Sequence, residues 1–300
     1  MSTELELKYL LPATGLRSLV QLIPQLGELQ HSEHNALLNA YFDTADNWFR
    51  RHDMGLRSRL KQGRYEQTIK LAGSQHGAMQ MRPEYNVACD GVVPKLDAFP
   101  AEIWPAQADV PQLQQQLTEL FRTDFVRQSW LLRCADGCEV ELAYDQGEIR
   151  AGSHSQPIAE LELELISGNA LQLFALAKTL LQQLPLRTGW QSKAARGYGL
   201  RAQQTLALPL HSGNTVLAQI RALQQAEACY GQTQQATALN MASQALAALA
   251  LSLSEQAQLQ HFSTEAAALA SAVLQDDKVF GWRRYNELLL AVSEYLYKSA

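Results

Sequence analysis

Glu4-Leu5-Glu6-Leu7-Lys8 near the start of the chain and Glu160-Leu161-Glu162-Leu163-Glu164 far downstream alternate charge with leucine at every step. In a β-strand, successive side chains point to opposite faces. Each run therefore puts its charges on one face and its leucines on the other. For a single strand the ordinary outcome is a half-buried sheet with the acids in water. The same alternation recurs along the chain. Arg57 and Arg59 share a face, as do Thr68 and Lys70, and Arg82 and Glu84. Arg127 follows on a further strand, and Asp145 ends one whose alternation includes Glu139 and Glu141. Acids gather on the first and last strands and bases on the middle ones. That segregation argues for a charged, lined interior with two zones rather than a set of solvated edges.

The 300 residues suffice for one domain of ordinary size and a second, smaller one. Apolar residues make up 47% and charged residues 18%, a globular rather than a disordered balance. A net charge of -5 supplies no global basic field for nucleic acid or an anionic membrane, so neither is an expected partner. Any polyanion site must be a local concentration of Lys and Arg. Cys89, Cys134, Cys138 and Cys229 lack zinc-ribbon spacing and are expected as free thiols of a reducing compartment. Charges at Glu4, Glu6 and Lys8 leave no apolar leader core, and no polar-free stretch of bilayer length is evident. The expected location is the cytoplasm.

Periodicity predicts a strand over 3–11, a helix over 13–26, and β-rich runs at 37–43, 55–61, 64–72, 82–90, 123–134, 137–145, 146–152 and 158–166. Gly63 and Gly147 are expected at turns, and the prolines from Pro94 to Pro111 mark an irregular connection before a short helix at about 111–120. A helix is expected over 169–184. Many short antiparallel strands with few helices predict an α+β architecture built on a closed or nearly closed barrel. After about residue 204 the sequence becomes rich in Ala, Gln and Leu, and four helices are expected near 214–231, 234–258, 263–275 and 280–298. The domain limits are therefore set at 1–204 and 205–300. The later aromatics Trp282, Tyr285, Tyr295 and Tyr297 are expected to pack rather than stack on a ligand.

The residue types fit a polyphosphate ligand. Phosphoryl oxygens favour Arg and Lys, with Arg able to bind them bidentately. Hard divalent cations such as Mg²⁺ or Mn²⁺ favour carboxylate oxygens. Phosphoryl transfer needs mainly positioning and charge neutralisation, so no protein nucleophile is required.

Glu4-x-Glu6-x-Lys8, Tyr41-Phe42-Asp43-Thr44, Leu56-Arg57-x-Arg59, Thr68-x-Lys70, Arg82-x-Glu84, Glu160-x-Glu162-x-Glu164 and Ser192-Lys193-Ala194-Ala195-Arg196-Gly197 together resemble the CYTH family over about residues 2–202. These triphosphate tunnel metalloenzymes include class IV adenylate cyclases and thiamine triphosphatases. His52-Asp53-Met54-Gly55-Leu56-Arg57 and Arg82-Pro83-Glu84-Tyr85-Asn86-Val87 are similar to the proteobacterial inorganic triphosphatases, which carry a C-terminal helical CHAD domain. The resemblance implies an eight-stranded antiparallel tunnel with flanking helices and a small all-α domain behind it. It implies Mg²⁺ or Mn²⁺ held by Glu4, Glu6, Glu162 and Glu164, with Glu160 and Asp145 as further acceptors. It implies inorganic triphosphate held by Lys8, Arg57, Arg59, Lys70, Arg82, Arg127, Lys193 and Arg196. Lys70, Glu84 and Lys193 are the residues expected closest to the chemistry, in which a metal-activated water attacks the terminal phosphorus. Phe125 stands two before Arg127 where some family members have a lysine, which argues against a lysine-pair mechanism. Residues 205–300 hold few basic residues and resemble a reduced or truncated CHAD domain, so polyphosphate contact is not expected there. The tunnel part alone, ending near residue 204, is expected to keep the activity. Thiamine triphosphatase activity, adenylate cyclisation and non-catalytic polyphosphate binding are the alternatives. The full set of acids favours an enzyme over a mere binder.

Overall fold

A computed structural model describes residues 2–300. The chain runs through β1 (Ser2–Leu10), α1 (Leu16–Leu26), β2 (Glu28–Asp43), α2 (Trp48–Arg51), β3 (Gly55–Lys61), β4 (Arg64–Lys70), β5 (Ser74–His76) and β6 (Met79–Cys89). After a looped connection come α3 (Val110–Gln116), β7 (Thr118–Arg133), β8 (Glu139–Ala151), β9 (His154–Ser167), α4 (Leu171–Gln183), β10 (Arg187–Thr188) and α5 (Lys193–Ala202). The remainder is helical: α6 (Val216–Thr233), α7 (Ala236–Ser254), α8 (His261–Ala272) and α9 (Arg283–Lys298).

The strands pair in the order β10-β1-β9-β8-β7-β2-β3-β4-β6-β5, and β1 also pairs β6. With β5 and β10 set aside as short appendages, the other eight strands close into an antiparallel barrel. Closure removes the edges that an open sheet of this length would expose. The leucines of the two opening runs point outward. Leu7, Leu161 and Leu163 are fully buried, packed with Leu19 and Ile23 of α1 and Leu173, Phe174 and Leu180 of α4. Each such burial contributes roughly 2 kcal/mol, which fixes the strand register and sends the charges inward. On the opposite flank Phe42, Phe49, Leu56 and Ile69 pack under Leu96, Phe99, Ile103 and Leu113 of the looped connection and α3.

Several elements depart from the sequence expectation. In place of the two strands expected over 137–145 and 146–152, Glu139–Ala151 forms one. Gly147 lies inside β8, where a Cβ would stand 2.2 Å from the Asp124 carbonyl oxygen and 2.5 Å from the Phe125 Cα. Its glycine serves close strand approach, not a turn. Gly63, by contrast, has φ +77° and turns β3 into β4. β2 begins nine residues earlier than expected, because exposed residues from Glu28 onward pair with β7 across the Arg133–Val126 stretch. Cys134 and Cys138 bracket the β7–β8 hairpin, and all four cysteines are free.

The helical region has its own core, with Leu223, Leu246, Leu249, Leu269, Phe280, Tyr285 and Leu289 buried. α7 has 19 residues and mean hydropathy 1.3, long and apolar enough by length and composition to cross a bilayer. Its Ala242, Leu246, Leu249 and Leu253 are buried in that core. α9 joins both parts of the chain. Leu288, Leu289 and Val292 face the helical core, while Leu290 enters the tunnel's outer core. Ser293 Oγ accepts the Ala78 N–H at 2.7 Å, and Asn286 Oδ1 accepts the Thr188 N–H at 2.8 Å.

Candidate active site

Barrel register assembles the charged rows. Glu6, Glu164 and Glu141 stand opposite one another on β1, β9 and β8. Lys8 faces Glu162, and Arg127, Asp145 and Glu160 line up across β7, β8 and β9. The lumen holds a cavity of about 360 Å³ lined by Glu4, Glu6, Lys8, Arg57, Arg59, Lys70, Arg82, Glu84, Arg127, Glu162, Glu164 and Lys193. Twelve of the residues singled out by sequence thus meet in one space. Asp145 and Glu160 do not line it; both are fully buried behind Lys193. Arg196 lines a wider neighbouring cleft of about 950 Å³, which shares Arg50, Asp53 and Arg82 with the lumen.

At one side of the lumen, acids and bases neutralise each other. The Lys193 ammonium lies 2.8 Å from Asp145, 2.8 Å from Glu160 and 2.7 Å from Glu162. Arg127 forks onto both Asp145 oxygens at 2.7 Å and also bonds Glu162. Arg196 pairs with Glu160 and donates to the Pro157 carbonyl. Burial opposes ionisation of Glu162, but Lys193 and Arg127 outweigh it and hold that carboxyl well below the usual range. The same three acids hold Lys193 charged against its own burial. Phe125 offers its ring to these cations, 5.3 Å from the Lys193 nitrogen and 5.9 Å from the Arg127 guanidinium carbon. The aromatic at the atypical position is therefore part of the cationic wall.

Elsewhere the charges are uncompensated. Burial, then Glu162 and Glu4, push the Glu6 carboxyl up to about 7. Burial, then Glu4, with Glu141 and Glu6 adding to it, push Glu164 up to about 8. Lys70 reaches Glu4, and Glu84 at 3.2 Å. Among the described residues no ion pair reaches Glu6, Glu141 or Glu164. Facing them is a concentration of positive charge on Arg57, Arg59 and Arg127. The buried Arg57 Nε has no hydrogen-bond partner. Burial, then Arg57 and Arg127, lower Arg59 to about 9, and its Nε bonds Asn39 at 2.7 Å. Such a lumen is arranged for a cation on the Glu6–Glu164–Glu141 row and an anion on the Arg57–Arg59 row. Among the described residues, no three carboxylates converge into a ready-made metal cage; Glu4 and Glu162 are turned to Lys70 and Lys193. The donor set still fits a hard divalent ion, because such an ion offsets the burial and the mutual repulsion that raise Glu6 and Glu164.

Two residues that sequence reasoning left without a role place the wall that carries Lys193. Asp43 is fully buried and accepts the N–H groups of Thr44, Phe49 and Arg50 at 2.8, 2.8 and 3.1 Å. It also accepts the Tyr198 hydroxyl at 2.6 Å, tying α5 to α2. Arg50 covers the Tyr198 ring at 4.5 Å. Gly197 lets α5 press on the barrel, since a Cβ there would lie 2.1 Å from the Phe121 ring. The sequence signals were Tyr41-Phe42-Asp43-Thr44 and the run that ends at Gly197, neither of which shows what it would touch. Glu141 was visible in an alternating strand, but its opposition to Glu164 depends on register.

A closed antiparallel barrel whose lumen is lined by side chains of both charges defines a tunnel fold. The chain belongs to the CYTH family: residues 2–198 match the CYTH domain. It is 34% identical over 207 residues to an inorganic triphosphatase of Haemophilus influenzae, covering 69% of this chain and 57% of that protein. The chain thus spans little more than half the length of this relative. Solved structures with weaker likeness include a Hippeastrum protein described as an adenylyl cyclase with dominant triphosphatase activity. It is 16% identical with TM-score 0.44, and the match covers 69% of this chain and 98% of that one. A Bacillus halodurans protein described as an adenylate cyclase is 17% identical with TM-score 0.41, over 64% and 96% of the two chains.

Proposed function

We propose that this chain hydrolyses inorganic triphosphate to pyrophosphate and phosphate inside the barrel, with Mg²⁺ or Mn²⁺. The observation that carries this is the separation of the unpaired carboxylates Glu6 and Glu164 from the Arg57 and Arg59 guanidinium groups within one cavity of about 360 Å³. Likeness to the Haemophilus influenzae inorganic triphosphatase supports the same substrate. Glu4, Glu6, Glu162 and Glu164 would hold the ion, with Glu141 joining them through its place opposite Glu164. When bound, the ion supplies charge neutralisation and a water of lowered pKa. Arg57, Arg59, Arg82, Lys8 and Arg127 hold the phosphate chain and fix the terminal phosphorus for in-line attack. Lys70, gripped by Glu4 and Glu84, stands where it can pass from carboxylate to phosphate as substrate enters. Water adds its oxygen to the terminal phosphorus, the adjoining phosphoanhydride bond breaks, and pyrophosphate leaves with the bridging oxygen. Asp145 and Glu160 hold Lys193, Arg127 and Arg196 in place rather than binding the ion, because both are fully buried behind Lys193 and do not line the lumen.

Residues 1–204 act as the tunnel domain, and 205–300 as a reduced CHAD-like region, in a cytoplasmic enzyme. The wider cleft of about 950 Å³, which includes Trp190, favours a second reading in which an organic triphosphate keeps its head group outside the lumen. Phosphate release from inorganic triphosphate, thiamine triphosphate and ATP, each with Mg²⁺, Mn²⁺ and a chelator, tests both. Inorganic triphosphate is expected to be cleaved fastest and only with metal. Equal turnover in chelator would sink the metal role, and a preference for an organic substrate would install the second reading.

A further inference from the structure

The segment from Arg187 to Lys193 straps one mouth of the barrel, and two sets of contacts hold it. On the tunnel side, β10 pairs only at Tyr9–Thr188 and Leu10–Arg187. Beyond it the Gly189 N–H donates to the Lys8 carbonyl at 2.9 Å, and the Lys8 ammonium donates to the Gln191 carbonyl. Gly189 lies so close that a Cβ there would stand 3.2 Å from the Lys8 Cε. Ser192 caps α5, and Lys193 follows as its first residue. The strap therefore sets the ammonium positions of both Lys8 and Lys193.

On its other side the strap is held by the helical region. The Thr188 N–H and hydroxyl both donate to Asn286 Oδ1, at 2.8 and 3.1 Å. Asn286 is fully buried, and its amide nitrogen donates to the Phe280 and Trp282 carbonyls at 3.0 Å each. Arg187 pairs with Glu227 of α6, whose other oxygen accepts the Tyr285 hydroxyl at 2.7 Å. Gln232 donates to the Gln191 side chain at 3.2 Å. A buried main-chain N–H must find a partner. Here the partner comes from 98 residues downstream rather than from the sheet.

We propose that the helical C-terminal region is a positioning element of the tunnel, in which Asn286 and Glu227 fix the strap and, through it, Lys8 and Lys193. This rests on the phosphate-binding role given above to Lys8 and on the placement of Lys193 in the lumen wall. Neither Asn286 nor Glu227 lines the lumen, so any effect on turnover must pass through the strap.

The test compares the full chain with Asn286→Ala. Amide exchange is read over residues 187–193, together with melting temperature, KM and kcat for inorganic triphosphate. Asn286→Ala is expected to speed exchange in the strap and to lower kcat/KM about tenfold, mainly through KM. A merely supporting role would lower the melting temperature and leave KM of the folded protein unchanged. Should Asn286→Ala fail to fold, Glu227→Gln carries the same expectation at about threefold. Unchanged strap exchange, or faster exchange with unchanged kcat/KM, overturns the proposal. If the parent protein neither binds nor cleaves triphosphate, the functional assignment fails and the proposal with it. That result is distinct from an active parent with insensitive variants.

Discussion

At the scale of the residue, the protein is defined by carboxylates it holds at a cost. Glu164 is pushed up to about 8 and Glu6 to about 7 by burial and neighbouring acids. A carboxyl with a raised folded pKa keeps its proton in the folded state where the unfolded chain has lost it. Folding stability is therefore greatest below about pH 4.5 as far as these two groups go, and falls as pH rises towards about 8. Glu162, held low by Lys193 and Arg127, acts with the opposite sign and only in more acidic solution. The melting temperature of metal-free protein is expected to drop across this neutral window and to recover on adding Mg²⁺ at about pH 8. Glu164→Gln should flatten the slope and stabilise the metal-free protein, and a slope that survives the substitution would remove Glu164 as its source. The same substitution, or Glu6→Gln, is expected to cut metal-dependent phosphate release by about a hundredfold, some 2.7 kcal/mol in the barrier. Spacing in the sequence was enough to mark Glu6 and Glu164 as inward-facing. It was not enough to separate the acids that stay free from Asp145 and Glu160, because that depends on where Lys193 and Arg196 end.

At the scale of the element, α5 delivers Lys193 and Arg196, and its seating is set by glycine and a buried carboxylate. A methyl group on Gly197 would meet the Phe121 ring at 2.1 Å, whereas one at Gly199 would meet only the Gln204 carbonyl at 3.7 Å. Gly197→Ala is expected to lower stability by about 1–3 kcal/mol through overpacking and to raise KM by displacing the helix start. Gly199→Ala, in the same helix, is expected to be neutral or to stabilise by up to about 1 kcal/mol. Thermal melts and steady-state kinetics on the pair check this; equal effects would show that helix propensity, not contact with Phe121, controls the site. Tyr198→Phe leaves Asp43 with its three N–H donors and is expected to cost about 1 kcal/mol. The motif that carries Lys193 and Arg196 was legible in the sequence, but the seat of its helix against β7 was not. By contrast, Gly147 shows how local signals mislead: glycine in a polar run reads as a turn, yet strand crossing requires it inside β8.

At the scale of the molecule, the two parts of the chain are less separable than a composition change at about residue 204 implies. Leu290 sits in the tunnel's outer core, Ser293 accepts the Ala78 N–H, and Asn286 holds Thr188. Ending the chain near residue 204 removes all three and strips cover from α4. The shortened protein is now expected to melt lower than the full chain and to expose apolar surface, measured by thermal unfolding and dye binding. A shortened protein of full stability and activity would restore the independence first expected of it. The sequence by itself determined the alternation of leucine and charge, and hence which face of each strand is apolar, because a period of two is a local property of extended chain. It also determined that the second part is helical, through composition and periodicity. Only the tertiary structure decided which charge meets which. Closing eight strands sets registers between residues far apart in sequence. Those registers put Glu141 opposite Glu164, bury Asp145 behind Lys193, and leave the Arg57 Nε without a hydrogen-bond partner in the lumen.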